Sequence, residues 1–326
     1  MFSRMLLTAL CVALGQALGP ALGLAAPVAA QEAFPSRPIQ LINPYQPGGA
    51  TDLMARALAA AMAPLLGQPM VVVNRDGAAG GVGSLMAARA APDGHTLLFA
   101  PALVLSVLPV TQPNSGLSRD ALRPVCQTFS NAQAIAVRHD SRFRNLGDVV
   151  AAARAAPGSV TYGTLGIASI PHLAMVQWLQ AAGIELAHVP YRGDGPVMAD
   201  TLAGRIDLAA IVLASASGRT DMRLLAVFDT ARNPAFPDVP TAIEQGFAVA
   251  PTSFGGVFAP AATPAERLAV LEAACARAAL GEGYAAAARR ALQPEAYHLG
   301  AADFGTRLAG DIAQKARLLG GINLAQ

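Results

Sequence analysis

Short apolar runs alternate with amphipathic helical segments along most of this chain. The run Ile39–Asn43 predicts a buried strand, and the spacing of apolar residues over Asp52–Leu66 predicts a helix. A strand at Met70–Asn74 and a helix at Gly83–Ala91 repeat this order. Such alternation is typical of an α/β fold in which the strands of each sheet are mostly parallel and helices flank them.

The same pattern occurs twice, which predicts two domains. Residues 101–124 contain prolines and little periodicity, so we expect them to lead from one domain to the other. A second series follows, with strands predicted at Val125–Phe129 and Ala134–Val137, and Leu224–Val227 as the returning strand. Helices are predicted over most of the C-terminal part. We therefore expect a first domain over 31–107, a second over 108–226, and a return to the first over 227–326.

The first thirty residues have the pattern of an export signal. Arg4 supplies a positive charge, the stretch Met5–Leu24 is apolar and uncharged, and small residues surround Ala30. This predicts a signal peptide over 1–30, cleaved after Ala30, and export to a bacterial periplasm. A retained membrane anchor is the alternative, because the apolar stretch approaches the length that spans a membrane.

Composition excludes several classes of function. The formal net charge is only +2 and the sequence has no basic stripe, which argues against nucleic acid as a partner. The five histidines are scattered without metal-ligand spacing, and no motif of a nucleophile elbow, zinc protease, P-loop or dinucleotide site occurs. We therefore predict no enzyme activity, no catalytic residues, no metal and no cofactor.

Two cysteines lie beyond the predicted cleavage site. Cys126 and Cys275 are expected in different domains, where a bridge would restrain movement between the domains. We expect each to be a small buried thiol. A disulfide is the alternative, because the predicted compartment is oxidising.

The segment after the first strand has the features of an anion site. Gly48 and Gly49 allow a ligand to approach the backbone, and a helix beginning near Thr51 offers unpaired N–H groups with partial positive charge. An ordinary tight turn is the alternative. Asp52 carries the wrong charge for such a ligand, so we interpret it as a brace that pairs with Arg56 and also holds ordered water.

Seven motifs in order give the chain a family resemblance. They are Tyr45–Asp52, Val71–Gly81, Ala91–Leu98, Tyr162–His172, His188–Gly193, Phe236–Thr241 and Phe258–Pro264. This series resembles the Bug-type receptors, the solute-binding proteins of tripartite tricarboxylate transporters. The resemblance implies a type II periplasmic binding fold of two α/β domains. It also implies a small organic carboxylate as ligand, membrane transporter subunits as partners, and a monomeric receptor.

The resemblance also implies a second ligand loop after the strand near Tyr162. Backbone groups around Ala168 and the hydroxyls of Thr164 and Ser169 would grip the carboxylate from the other side. His172 is the next candidate, with a packing role as the alternative. Arg192 would receive a distal carboxylate unless it pairs with Asp194. The candidate ligand-binding residues are Tyr45, Gly48, Gly49, Ala50, Thr51, Asp52, Ala102, Thr164, Ala168, Ser169, His172, Arg192 and Asp194.

Two functions are compatible with this sequence. The receptor either delivers its ligand to a transporter or, as a periplasmic sensor, reports ligand state to a signalling partner. The sequence does not distinguish among dicarboxylates, amino acids, aromatic acids and nicotinate-like molecules, because a carboxylate clamp accepts them all.

Overall fold

A computed structural model describes residues 33–191, 193–251 and 253–321. The predicted signal peptide and Arg192 therefore lie outside the described residues. The described part contains eleven strands: β1 Ile39–Asn43, β2 Met70–Asn74, β3 Thr96–Pro101, β4 Leu122–Asn131, β5 Gln133–Arg138, β6 Thr161–Thr164, β7 Ala187–Pro190, β8 Leu208–Val212, β9 Met222–Phe228, β10 Ser253–Pro260 and β11 Leu299–Gly300.

Ten α-helices connect or cover these strands within the described residues. They are α1 Ala50–Leu66, α2 Gly81–Ala88, α3 Leu103–Ser106, α4 Leu108–Thr111, α5 Leu146–Ala155, α6 Ile170–Ala182, α7 Asp194–Leu202, α8 Ala265–Ala279, α9 Glu282–Arg290 and α10 Ala301–Gly320. Short 3₁₀ turns occupy Ala78–Gly80, Pro113–Ser115 and Leu213–Ala216.

The strands form two sheets. The first has the order β11-β4-β10-β3-β1-β2 and the second the order β7-β6-β8-β5-β9. We call each sheet with its helices a lobe. β1 pairs in parallel with β2 and β3, whereas β10 is antiparallel to its neighbours β3 and β4. The predicted α/β class is confirmed, but the pairing is more mixed than predicted, because strands that enter a sheet from the other lobe run in the opposite direction.

Each sheet has its own core. In the first lobe, Ile42, Leu98 and Phe258 pack with Phe304 of α10. In the second lobe, Trp178 of α6 lies fully buried beside Phe228. These buried faces explain the apolar runs that were visible along the strands.

The chain exchanges sheets at different points from those predicted. β4 belongs to the first sheet, where it pairs with β10 and β11, so the predicted start of the second domain at 108 is too early. The chain enters the second sheet with β5 at Gln133 and stays there through β9, which ends beyond the predicted boundary at 226. It re-enters the first sheet only with β10. The prediction was wrong here because the periodicity of a strand does not reveal its sheet.

The cysteines also differ from the prediction. Cys126 on β4 and Cys275 on α8 form a disulfide, with their Cα atoms 6.5 Å apart. The expected free thiols followed from the wrong position of β4. Both residues lie in the first lobe, so the bridge leaves movement between the lobes unrestrained. Among the described residues no helix is long and apolar enough to cross a membrane.

Candidate functional site

The loop after β1 presents an uncapped helix start. Gly48 has a φ of 86°, a left-handed conformation that favours glycine, and turns the chain into α1. α1 begins at Ala50 after Gly49, and no side chain caps its first turn. Ala50 is exposed and Thr51 is half-buried. The N–H groups of a first helical turn have no partner within their own helix, so this end offers hydrogen-bond donors and partial positive charge.

Asp52 is a brace for this loop. One carboxylate oxygen accepts hydrogen bonds from the Gly48 amide at 3.0 Å and from Arg56 Nε at 2.9 Å. The other accepts from Asn74 Nδ2 at 2.8 Å. Burial favours the neutral acid, but these bonds and the charge of Arg56 outweigh it and lower the pKa of Asp52 to about 2. The carboxylate is thus held ionised and turned toward its own loop.

Tyr45 connects two loops of the first lobe. Its carbonyl accepts a hydrogen bond from Asn74 at 3.0 Å. Its ring lies against the loop after β2, where a Cβ on Gly80 would come within 3.2 Å of the phenol oxygen. Burial raises the pKa of the Tyr45 phenol above its usual value.

A small cavity lies at the start of α1. Ala50 and Thr51 line it together with Phe129, Asn131 and Gln293, and its volume is about 20 Å³. This is room for roughly one water molecule. Gln293 also accepts a hydrogen bond from the Ser130 amide at 3.1 Å and donates one to the Asn131 side chain. The helix start therefore lies next to the point where the chain passes between the lobes.

The second-lobe loop is tied together by its own side chains. The Thr164 hydroxyl accepts from the Gly166 amide and lies 2.8 Å from His188 Nε2. The Ala168 amide donates to His172 Nδ1 at 3.0 Å, and Ser169 caps α6 by accepting from the His172 amide. Ala168 has a φ of 59°, unusual for a residue with a Cβ. The hydroxyl of Thr164 and the amide of Ala168, both expected to face ligand, are engaged within the loop.

Two histidines stack beneath this loop. The ring centroids of His172 and His188 are 4.1 Å apart and the rings are nearly parallel, and the Tyr162 ring also stacks on His188 at 4.9 Å. Burial and the neighbouring His188 lower the pKa of His172 to about 4. Burial also lowers the pKa of His188. Both rings are therefore neutral at pH 7, and their arrangement supports the packing interpretation of His172.

The remaining candidates have distinct surroundings. Asp194 accepts a hydrogen bond from the Ser215 hydroxyl, and its other oxygen is buried without a hydrogen-bond partner among the described residues. Burial raises the pKa of Asp194 above its ordinary value. Ala102 is buried, and its amide donates to the Phe254 carbonyl at 2.7 Å.

Elements of the two lobes meet around the second loop. Ile167 and Ala168 pack in one apolar cluster with Leu103 and Val107 from the first lobe, and Leu318 and Leu319 at the end of α10 complete the cluster. The candidates thus form a first-lobe group (Tyr45 and Gly48–Asp52) and a second-lobe group (Thr164, Ala168, Ser169 and His172). Ala102 precedes α3, whose Leu103 is in contact with the second group.

Sequence reasoning missed three supporting residues. Asn74, His188 and Ser215 each fix a candidate side chain by a hydrogen bond. His188 is paired in register with Tyr162 across parallel strands, so only the sheet order would have revealed it. Among the described residues no group of three metal-ligating side chains occurs.

Two α/β lobes, each with a strand that leads through a small-residue loop into a helix, define a two-lobed solute-binding fold. The model of the family described as "Tripartite tricarboxylate transporter family receptor" matches residues 54–321. The chain belongs to this family of solute-binding receptors, which confirms the resemblance.

Individual relatives agree with this assignment. The chain is 35% identical to Protein BugT of Bordetella pertussis over 226 residues, covering 66% of this chain and 68% of BugT. A TctC solute-binding protein from Polaromonas has a TM-score of 0.79 at 28% identity, covering 89% of this chain and all of that one. R. palustris Rpa4515, solved with adipate, has a TM-score of 0.73 at 25% identity, covering 88% of this chain and 97% of that one.

Proposed function

We propose that this protein is a periplasmic receptor that binds a small organic carboxylate between its lobes and delivers it to the membrane subunits of a tripartite transporter. It performs no chemistry on its ligand and needs no cofactor. The observation that carries the proposal is the uncapped start of α1 after Gly48 and Gly49, with Asp52 tied back into its loop. The relative that was solved with adipate supports a carboxylate as the ligand class.

The ligand contacts we propose are mostly backbone groups. In the first lobe the amides of Gly49, Ala50 and Thr51 bind the carboxylate, and Tyr45 limits its approach. In the second lobe, Ser169 and the start of α6 face it. Thr164 and His172 act by holding their loop, since their polar atoms are engaged there. Arg192 and Asp194 remain proposed contacts for the distal part of the ligand.

Export is part of the same proposal. The apolar leader and the small residues around Ala30 support cleavage of a signal peptide, which would leave Gln31 as the mature N-terminus. Mass spectrometry of protein from the periplasmic fraction tests this directly. A full-length product in the membrane fraction would contradict it.

Binding is tested with acids and their matched amides. Calorimetry on the mature protein uses adipate, succinate, glutamate and nicotinate, each beside its uncharged amide. We expect at least one acid to bind and its amide to bind far more weakly, because the field of a helix start acts on charge. If no acid binds, or if acid and amide bind equally, the proposal of a carboxylate site is wrong.

Gly49→Val locates the site. A Cβ at Gly49 meets only the Gln46 carbonyl at 3.9 Å, and the φ of −75° suits any residue, so the variant keeps the fold. The valine side chain keeps the ligand away from the backbone amides. We therefore expect this variant to lose binding of the acid that the wild-type protein binds. Gly283→Val is the matched control, since a Cβ there meets nothing within 4 Å. Normal binding by Gly49→Val would place the ligand elsewhere. Delivery is then tested by uptake of the labelled acid in cells that carry either variant.

A further inference from the structure

A second pocket lies between the lobes, and of its lining only Ile170, the first residue of α6, adjoins the proposed loop site. α6 contributes Ile170, Leu173, Ala174 and Gln177. Residues 250 and 251, which precede β10, and Phe254 of β10 are also in the lining, and α10 supplies the rest. The volume is about 220 Å³. A single water needs only about 10–15 Å³, whereas drug-sized ligands occupy roughly 300 Å³ or more, so the pocket suits a small molecule.

Charged side chains of α10 line one side of this pocket. Arg307, Asp311 and Lys315 follow at intervals of four residues and therefore share one helix face. Lys315 Nζ donates to Asp311 Oδ2 at 2.9 Å, and both side chains are buried. Arg307 lies over the Phe254 ring and donates to the Tyr297 phenol at 2.6 Å. Two cations and one carboxylate give this lining a net charge of +1.

The Lys315 ammonium has only one short hydrogen bond among the described residues, to Asp311. An ammonium has three donors, and the second contact, to Ser106 Oγ, is long at 3.5 Å. Burial lowers the pKa of Lys315, and the positive charge of Arg307 lowers it further, against the pull of Asp311. A buried anion beside these cations would offset both costs.

The other walls are apolar or amide-bearing. Ile170, Leu173, Ala174 and Phe254 contribute the hydrocarbon part of the lining, and Arg307 lies over the Phe254 ring. Gln314 of α10 donates to Gln177 of α6 at 3.2 Å and joins the lobes beside the pocket. One excess positive charge and a short apolar wall together match a molecule with one negative charge and a short aliphatic chain.

We propose that the pocket between α6 and α10 is a second binding site that takes a short-chain aliphatic monocarboxylate. The carboxylate lies at Lys315 and Arg307, and the chain lies against Leu173 and Phe254. Because its walls come from both lobes, the bound acid bridges them. This site is separate from the loop site, and it stands whether or not the proposed transport function is correct.

Butyrate is the probe, and butyramide its uncharged match. Calorimetry on the mature protein at low ionic strength should show saturable binding of butyrate and none of butyramide. Removing one charge-assisted contact costs roughly tenfold or more in affinity, so Arg307→Met and Lys315→Met should each weaken butyrate by that factor. Arg317→Met removes a charge from the exposed last turn of the same helix and should leave butyrate binding unchanged.

Further measurements keep the result decisive. Circular dichroism and melting curves show which variants fold. Nuclear Overhauser contacts between butyrate and the methyl groups of Ile170 and Leu173 test the position on the unaltered protein. Absence of those contacts, equal binding of butyramide, or normal binding by a folded Arg307→Met protein would overturn the proposal. If Gly49→Val loses butyrate binding while Arg307→Met and Lys315→Met keep it, butyrate binds at the loop site, and the proposal of a second site is overturned as well.

Discussion

At the scale of single residues, buried polar groups in both loops are satisfied by partners distant in sequence. Asp52 was interpreted from sequence as a brace because Arg56 follows four residues later, and the hydrogen bond at 2.9 Å agrees. Asn74 completes that network from the end of β2, and no local spacing indicates it. Sequence thus predicted the contacts within one helix turn but not those that arise when strands pair.

Asp52→Asn should destabilise the protein in a pH-dependent way. The folded pKa of about 2 lies below the ordinary value of 3.8, so its stabilisation is present above that value and is lost as pH falls through about 2. We expect the variant to lower the free energy of unfolding by about 1.5–3 kcal/mol at pH 7. The difference should shrink to roughly half at pH 3. Urea titrations at both pH values measure it.

Asp303→Asn is the control for this comparison. Asp303 is also an acid in the first turn of a helix, but it is exposed. Its replacement should change stability by less than about 0.5 kcal/mol. If the two variants behave alike, the Asp52 network contributes nothing beyond the helix dipole.

The buried His172 ring should make the protein less stable in mild acid. Its folded pKa of about 4 lies below the ordinary 6.5, so the unfolded chain binds the proton first and stability falls as pH drops from about 6.5 to about 4. The loss attributable to this group is roughly 2–3 kcal/mol. His172→Asn keeps an acceptor for the Ala168 amide but does not titrate, so it should lose less over this range.

Denaturant titrations between pH 7 and pH 4.5 compare wild type, His172→Asn and His139→Asn. His139 is exposed, so its variant should follow the wild-type curve. A His172→Asn curve that parallels wild type would show that the ring does not control acid stability.

At the scale of elements, apolar periodicity predicted most of the fold. The bounds of β1 and β2 coincide with the predicted ones, and most other ends differ by one to three residues. β10 was missed, although it is a fully buried central strand. Gly255 and Gly256 weaken its strand signal, yet a Cβ at either would come within 2.2 Å of a neighbouring carbonyl oxygen. The close packing that requires these glycines is visible only in the folded sheet.

The disulfide between β4 and α8 should be a main source of stability in the first lobe. It closes a loop between residues 149 positions apart, and loops of this length are worth about 4–5 kcal/mol in the chain-entropy model. The double variant Cys126→Ala/Cys275→Ala should have a free energy of unfolding that is lower by that amount, as measured by denaturant titration. Dithiothreitol should reduce wild-type stability to the level of the variant and leave the variant unchanged. Alkylation of both thiols without reductant would show that the bridge is absent.

At the scale of the whole molecule, the path between the sheets was the least predictable feature. The first sheet receives strands from two separate parts of the chain, whereas the second is built from one continuous part, and β4 and β5 lie in different sheets with only Ala132 between them. Local pattern carries no information on this choice, because the apolar residues of a strand indicate burial and not the sheet in which it is buried. The connection from β4 to β5 places Asn131 beside the start of α1, where both line one small cavity. The crossing between the sheets is therefore adjacent to the proposed ligand site.

The Gln293 side chain holds the end of β4, where the chain crosses between the sheets, and should influence both protein stability and ligand binding. Its side chain accepts from the Ser130 amide at 3.1 Å and donates to Asn131, and it is 8% exposed. Gln293→Leu removes two hydrogen bonds to half-buried partners, so we expect a loss of about 1–3 kcal/mol in the free energy of unfolding. Exchange of the Ser130 amide with solvent deuterium should become faster, and the acid found by calorimetry should bind more weakly, because Gln293 and Thr51 line the same cavity. Gln180→Leu, on the exposed face of α6, should change none of these quantities. Unchanged amide exchange at Ser130 in Gln293→Leu would show that this glutamine does not hold the passage between the lobes.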